Sequence, residues 1–210
     1  MPRTSTTILR PVAERVLKHP LAFQAFQTII GAPDCHRRFL NEHVHPRADE
    51  AVLDLGCGTG NSLKYLPAGI RYVGVDVDAG YVTFAKQCYA DRGTFKVADA
   101  TMLSNEWGRS FDKAFSFGVL HHLPDEAARR LVENAVRALK PGGTFLSIDP
   151  CFAAGQSRIA KFLVANDRGR HVRDQAQYRA IFEGWTTEYI LVVTDMLRIP
   201  YTQIIAKIRA

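Results

Sequence analysis

The stretch AVLDLGCGTGNSLKYL, residues 51–66, constrains the chain more than any other part of the sequence. A five-residue apolar run reads as a short buried strand. Gly56, Gly58 and Gly60 follow at alternate positions, and a helical stretch comes next. Glycines at such a junction allow a tight turn and a close approach of backbone to ligand. The same rhythm continues. RYVGV, TFKVA, FDKAFSF and GTFLSID read as the second to fifth strands. AGYVTFAKQCYADR and DEAARRLVENAVRAL read as helices between them. The first puts Val82, Ala85 and Tyr89 on one face; the second has Asp125 at its start and a stripe of Ala128, Val132, Val136 and Leu139. Pro141, Gly142 and Gly143 stop that helix.

Strands alternating with helices predict a parallel sheet covered on both faces. Two further β-like runs, residues 186–194 and 201–209, are joined by DMLRIP, which is too short to hold a crossover helix. They predict an antiparallel hairpin, with the last strand inserted beside the fifth. The expected fold class is therefore α/β. It is a doubly wound, Rossmann-like sheet of seven mostly parallel strands with an antiparallel last strand, preceded by N-terminal helices. Those helices are expected within 11–45. LAFQAFQTII places Phe23, Phe26 and Ile30 at helical spacing, Gly31 to Pro33 break the pattern, and Asp34 caps a second helix, DCHRRFLNEHVH. Residues 151–185 read as polar, Arg-rich and helical, with no strand signal.

Composition excludes several classes. A chain of 210 residues with 47% hydrophobic and 23% charged residues is ordinary for a globular protein, and no apolar run nears the ~20 residues that span a bilayer. The net charge of +6 is uneven: residues 51–150 are neutral, and the last sixty residues carry +4. That is not the dense basic stripe of a nucleic-acid binder. Cys35, Cys57, Cys88 and Cys151 form no CxxC pair, so no metal site is expected. The N-terminus MPRTSTTILRP lacks an apolar signal core. Its Arg/Ser/Thr bias hints at a transit peptide, but Glu14 follows closely, and the expectation is a cytoplasmic chain with free thiols.

Three carboxylates fall at predicted strand ends. Asp54 lies two residues before the glycines, Asp76 closes the second strand, and Asp99 follows the third. The dinucleotide pattern GxGxxG would require glycine where Asn61 stands. A carboxylate at Asp54 would repel a pyrophosphate but suit a cationic ligand group; the competing reading is a loop-capping aspartate. Asp76 suits ribose hydroxyls, or else is a turn aspartate.

VLDLGCGTG at 52–60, YVGVDVD at 72–78, FKVADAT at 95–101, FDKAFSFGVLHHL at 111–123 and LKPGGTFLSID at 139–149 together resemble the class I S-adenosylmethionine-dependent methyltransferases. HPLAFQAFQ, DRGR and LRIPY are also similar to a small bacterial subgroup of type 11/12/25-like domains, which fixes no substrate. The resemblance implies that Gly56, Cys57, Gly58 and Gly60 line the methionyl part of S-adenosylmethionine, with Asp54 near its amino group. It implies that Asp76 binds the ribose, Val77 packs on the adenine, and Asp99 and Ala100 meet the adenine edge. Phe117 lies beneath the cofactor. The expected organisation is a single domain over 1–210. It comprises an N-terminal helical cap (1–48), a cofactor-binding half (49–150), a substrate-side cap segment (151–185) and the terminal hairpin (186–210).

Methyl transfer from a sulfonium expels a neutral thioether, so the protein's tasks are alignment and exclusion of water. A hydroxyl acceptor benefits from a base. His121 and His122 are the candidates; the competing reading is that they shape the pocket, and His171 ranks behind them. Between 158 and 179 lie six basic side chains, which predicts an anionic acceptor held by Arg168, Arg170 and Arg173 with Tyr178 beside them. The competing reading is a solvated face whose arginines pair with Asp167 and Asp174. The function expected is methyl transfer to a small, anionic molecule. The alternatives are a nucleic-acid methyltransferase and a non-enzymatic cofactor-binding protein, with a nicotinamide oxidoreductase as the rival within the fold. Oligomeric state and acceptor atom are not readable from the sequence.

Overall fold

The computed structural model describes residues 29–104 and 107–210. Its strands are β1 (Ala51–Leu55), β2 (Arg71–Asp76), β3 (Gly93–Val97), β4 (Phe111–Phe117), β5 (Leu139–Phe152), β6 (Arg173–Asp174), β7 (Thr186–Val193) and β8 (Gln203–Arg209). Its α-helices are α1 (Ala32–Phe39), α2 (Ala79–Tyr89), α3 (Asp125–Ala138), α4 (Arg158–Ala165) and α5 (Gln175–Ile181). The predicted positions of Phe23 and Phe26 lie outside the described residues.

The sheet order is β3-β2-β1-β4-β5-β8-β7. The chain steps outward from β1 to β3 and then returns to lay β4 on the other side of β1. In open α/β sheets such a reversal is where ligands bind, in the crevice outside the carboxyl ends of the strands. β8 pairs antiparallel with β5, from Thr144↔Arg209 to Pro150↔Gln203, and β7 pairs antiparallel with β8. The hairpin and its insertion beside the fifth strand are as the sequence predicts.

Two cores form, one on each face. Leu53, Leu131, Val132, Phe145, Tyr178 and Phe182 fill the side covered by α3 and α5. Phe39, Leu40, Val82, Phe115, Leu146 and Ile205 fill the side covered by α1 and α2. Alternation within the central strands sends neighbours to opposite faces, as Phe145 and Leu146 show.

Three local expectations are corrected. Asp34 does not cap α1: Gly31, at φ 82°, takes the N-cap position, and Asp34 instead meets Arg198 at 2.6 Å. The helix expected after the glycine loop is a four-residue 3₁₀ turn, Asn61–Lys64. Residues 151–185 do contain a strand, because Arg173 and Asp174 pair in parallel with Cys151 and Phe152 at the end of β5. Two residues are too short for any periodic signal.

Ile205 is fully buried between β5 and β7, whereas its register partner Leu191 on the edge strand is 43% exposed. Ile205→Ala is expected to lower the urea unfolding free energy by ~2–5 kcal/mol, and Leu191→Ala by under about 1 kcal/mol. Equal losses at the two positions would show that β8 is not the inner strand.

Candidate active site

The glycine loop is held from below by β2: the amides of Gly56 and Cys57 both donate to the Val75 carbonyl, at 2.8 and 2.9 Å. Gly56, Gly58 and Gly60 all have positive φ, the left-handed region that side chains disfavour. At Gly56 the reason is also contact. A Cβ there would stand 2.5 Å from Val119 Cγ2, in the loop after β4. At Gly58 a Cβ would meet nothing within 4 Å, so this part of the loop faces open space.

Asp76 links the loop to the next strand. Its Oδ2 accepts from the Gly58 amide at 2.8 Å and its Oδ1 from the Asp78 amide at 2.9 Å. A carboxylate has about four acceptor positions, so two remain for a ligand hydroxyl. Val77, beside it, is 68% exposed although apolar. Asp99 is exposed and caps the 3₁₀ turn Ala100–Met102, whose Ala100 is buried and whose Met102 is exposed. Val77 and Met102 thus present bare apolar surface between two strand-end carboxylates. Cys57 is buried, and burial holds its thiol well above the ordinary range.

Asp54 is placed differently from the expectation. It is 1% exposed, and its Oδ2 accepts from Ser62 Oγ at 2.6 Å and Tyr72 Oη at 2.7 Å. It braces the loop from inside rather than presenting a charge to a ligand, which is the loop-capping reading. Burial pushes its carboxyl up to about 6, against the two hydrogen bonds that favour the charged form. Ser62 gives its only hydrogen to Asp54, so its contact with His36 Nε2 at 3.1 Å requires that nitrogen to donate. His36 stacks on Phe117 at 4.2 Å and, desolvated, is held neutral with its pKa lowered to about 4. His36 reads in sequence as a helix-surface or core-edge histidine, and nothing in its spacing signals that it links α1 to the glycine loop.

The two candidate bases separate. His121 is 6% exposed, and its Nδ1 lies 2.9 Å from Asp149 Oδ1 and its Nε2 3.1 Å from Asp167 Oδ1. Both ring nitrogens face carboxylates, so the ring is an imidazolium with no lone pair to offer. Burial pulls its pKa down, but the hydrogen bonds from Asp149 and Asp167 win and raise it to about 9. The expectation of His121 as a free base is therefore corrected. His122 is exposed, its ring is 4.1 Å from that of His121, and partial burial and the neighbouring charge lower its pKa.

The arginine cluster also divides. Arg173 is 3% exposed. It donates to the carbonyls of Leu120, His171 and Leu123 and to Asp125 Oδ1, at 2.6–3.1 Å. Its fork is fully used in tying the cap segment to the loop after β4. Tyr178 is fully buried, with its hydroxyl donating to the Pro150 carbonyl at 3.1 Å. Neither can meet an acceptor, and both expectations are withdrawn. Arg168 and Arg170 are exposed. An open groove of about 610 Å³ lies past the end of β5, lined by Phe152 to Gln156, Lys161 and Asp174, and no glycine-loop residue lines it. Among the described residues there is no cluster able to hold a metal ion.

A methyltransferase-domain family model matches residues 52–143, from β1 to the start of β5. These residues carry a methyltransferase domain, in agreement with the sequence resemblance to the class I S-adenosylmethionine-dependent methyltransferases. It is 27% identical over 174 residues to phosphoethanolamine N-methyltransferase 1 of Triticum aestivum, covering 80% of this chain and 34% of that protein. It is 39% identical over 99 residues to a tRNA (carboxymethyluridine(34)-5-O)-methyltransferase of Arabidopsis thaliana, covering 45% and 22%. The chain thus spans about a third or less of the length of these curated relatives. The fold matches geranyl diphosphate C-methyltransferase of Streptomyces coelicolor A3(2), crystallised with Mg²⁺, geranyl-S-thiolodiphosphate and S-adenosyl-L-homocysteine, with TM-score 0.64 and 15% identity over 82% of this chain and 74% of that one. For a class I methyltransferase the residues fit the family's cofactor, S-adenosylmethionine. The open Gly58 face, the two unused acceptor positions of Asp76 and the bare Val77 surface stand side by side in the crevice. Both of these curated relatives are plant proteins, so the bacterial subgroup resemblance rests on the sequence alone.

Asp54 yields a pH signature. Its folded-state pKa of about 6 exceeds its ordinary 3.8. The stability this gives is complete below about pH 3.8 and is lost as pH rises through about 6. Asp54→Asn keeps an acceptor for Ser62 and Tyr72. It is expected to remove a decline of at most about 1.4 kcal/mol per pH unit from the urea-unfolding free energy between those values. Parallel pH profiles for the two proteins would show that folding leaves the Asp54 carboxyl at its ordinary pKa.

Proposed function

We propose that this methyltransferase moves the methyl group of S-adenosylmethionine to a small, anionic molecule by in-line displacement. The bound cofactor supplies an electrophilic methyl on a sulfonium, whose departure as a neutral thioether needs no acid. The observation that carries the reading is the Gly58 opening beside Asp76 and Val77 at the sheet's switch point. Gly56, Gly58 and Gly60 let the backbone approach the methionyl part. Asp76 accepts from the ribose, Val77 and Met102 cover the adenine, and Asp99 with the Ala100 backbone meets its edge. Phe117, stacked on His36, floors the site. Where the acceptor's proton must be removed, His122 is the group with a lone pair, since His121 has none.

Residues 151–185 act as a substrate-side cap over the crevice. Arg168 and Arg170 remain the candidate contacts to an anionic acceptor. Cytoplasmic placement agrees with free Cys35, Cys57, Cys88 and Cys151. No helix among the described residues is long and apolar enough to cross a membrane.

Calorimetry with S-adenosyl-L-homocysteine, followed by a methyl-transfer screen of phosphorylated and carboxylated metabolites, tests the reading. S-adenosyl-L-homocysteine is expected to raise the Tm and NAD to leave it unchanged. Asp76→Ala is expected to weaken binding by ~1–3 kcal/mol. Equal stabilisation by NAD would overturn the cofactor assignment. Methyl transfer to RNA, with none to small anions, would favour the nucleic-acid alternative.

A further inference from the structure

The densest polar cluster outside the glycine loop lies where β4, β5, the cap segment and the connection before β8 meet. His121 follows β4, Asp149 is in β5, Asp167 and Gly169 are in the cap segment, and Tyr201 precedes β8. Asp149 is fully buried. Its Oδ1 accepts from the His121 ring at 2.9 Å and from the His121 amide at 3.2 Å, while its Oδ2 has no partner. Asp167 Oδ1 lies 3.1 Å from His121 Nε2 and accepts from the Gly169 amide at 2.8 Å, and its Oδ2 accepts from Tyr201 Oη at 2.6 Å. The His171 amide then donates to the His121 carbonyl at 2.9 Å. Gly169 lies flat against the imidazole: a Cβ on it would fall 1.9 Å from His121 Cδ2 and 2.6 Å from the His121 carbonyl oxygen. No other residue type could occupy that position without moving the cap.

We propose that His121 is a positioning residue, a buried imidazolium that clasps the cap segment 167–171 onto the carboxyl ends of β4 and β5 and so fixes the acceptor side of the site. The clasp is a property of the folded chain alone, and its consequence for the acceptor side rests on the functional reading. Its charge balance follows from the groups around it. Asp149 and Asp167 face the ring directly. His122 stands beside it on the same turn. Arg168 and His171 belong to the same cap segment, and Tyr201 touches Asp167. Arg173 is engaged by Asp125 and three carbonyls. Removing the proton would leave two carboxylates buried around a neutral ring, with Asp149 Oδ2 already unpartnered, and that arrangement is unfavourable. The direction of both shifts agrees. His121 is raised to about 9, and Asp167, against its burial, is held down to about 2 by His121, Tyr201 and the Gly169 amide. The clasp is therefore complete below the ordinary histidine value of 6.5 and released as pH rises through about 9.

The test uses the whole chain without ligand. Protein labelled with ¹⁵N-histidine is titrated by NMR from pH 6 to 10, and amide exchange is measured at Gly169 and His171. Asp167→Asn removes one charge while keeping a polar group of the same shape, and Tyr201→Phe loosens Asp167 without touching the ring. Both nitrogens of His121 are expected to be protonated at pH 7.5, with the transition near pH 9. Asp167→Asn is expected to move that transition at least one pH unit lower and to speed exchange at Gly169 and His171 at least tenfold. Exchange within β5 should stay unchanged, and Tyr201→Phe should give a smaller change of the same sign. A His121 that titrates at 6.5 or below, or cap amides protected equally in wild type and Asp167→Asn, would overturn the clasp. S-adenosyl-L-homocysteine calorimetry on the same variants separates the two readings. Its failure in wild type would sink the functional assignment while leaving the histidine titration to decide the clasp.

Discussion

His121 sets its two ring nitrogens against carboxylates that arrive from different parts of the fold. Asp149 belongs to the long fifth strand, and Asp167 to the segment that crosses its end. On the proposal above, that bridge places residues 167–171, while Tyr178, Ile181 and Phe182 anchor the end of the cap in the core. Gly169 is held against the imidazole, Tyr201 is held through Asp167, and the two-residue strand β6 follows directly. Arg173 repeats the device one turn further on, by collecting the carbonyls of Leu120, Leu123 and His171. Two cations thus join the cap to the loop after β4. Buried charge is costly to isolate, so geometry around such groups is narrowly defined.

On the other side of the switch point the glycine loop is braced by neutral hydrogen bonding rather than by ion pairs. Tyr72 and Ser62 converge on Asp54, and His36 reaches Ser62 from α1. Asp76 above them has both oxygens tied to loop amides while keeping acceptor capacity. The two carboxylates therefore divide the work that a sequence reading assigns to both. Asp54 orders the loop, and Asp76 orders it and also faces the crevice. Burial is what separates them.

This division explains what was legible beforehand. The strands, the hairpin and the glycine loop carry local signals: periodicity, a short connection, glycines at positive φ. The placement of Asp76, Val77 and Asp99 is legible because strand ends converge on one edge of a parallel sheet, and their roles toward a ligand belong to the proposed function. Arg173 and Tyr178 were misread because a charged or phenolic side chain in a polar stretch looks the same in sequence whether it faces solvent or fills its donors inside. His121 reads in sequence as a candidate free base, and the structure overturns that reading because its protonation is set by carboxylates far along the chain. Gly169 reads as an ordinary loop glycine within DRGR, and only the imidazole against its Cα shows why glycine stands there.

The clasp also bears on the acceptor. The bland reading of the cap has its arginines neutralised locally by Asp167 and Asp174. Asp167 is instead occupied by His121, Tyr201 and the Gly169 amide. Asp174 caps α5 by accepting from the Gln177 amide. Arg173 has left the surface for Asp125. Arg158, Lys161, Arg168, Arg170 and Arg179 of this stretch are all exposed, as is Asp174. On the proposed function, an imidazolium that offsets the charge of Asp167 would favour an anionic acceptor over about a Debye length, an attraction that weakens with salt. The same ring that closes the cap would then also bear on the charge the acceptor meets.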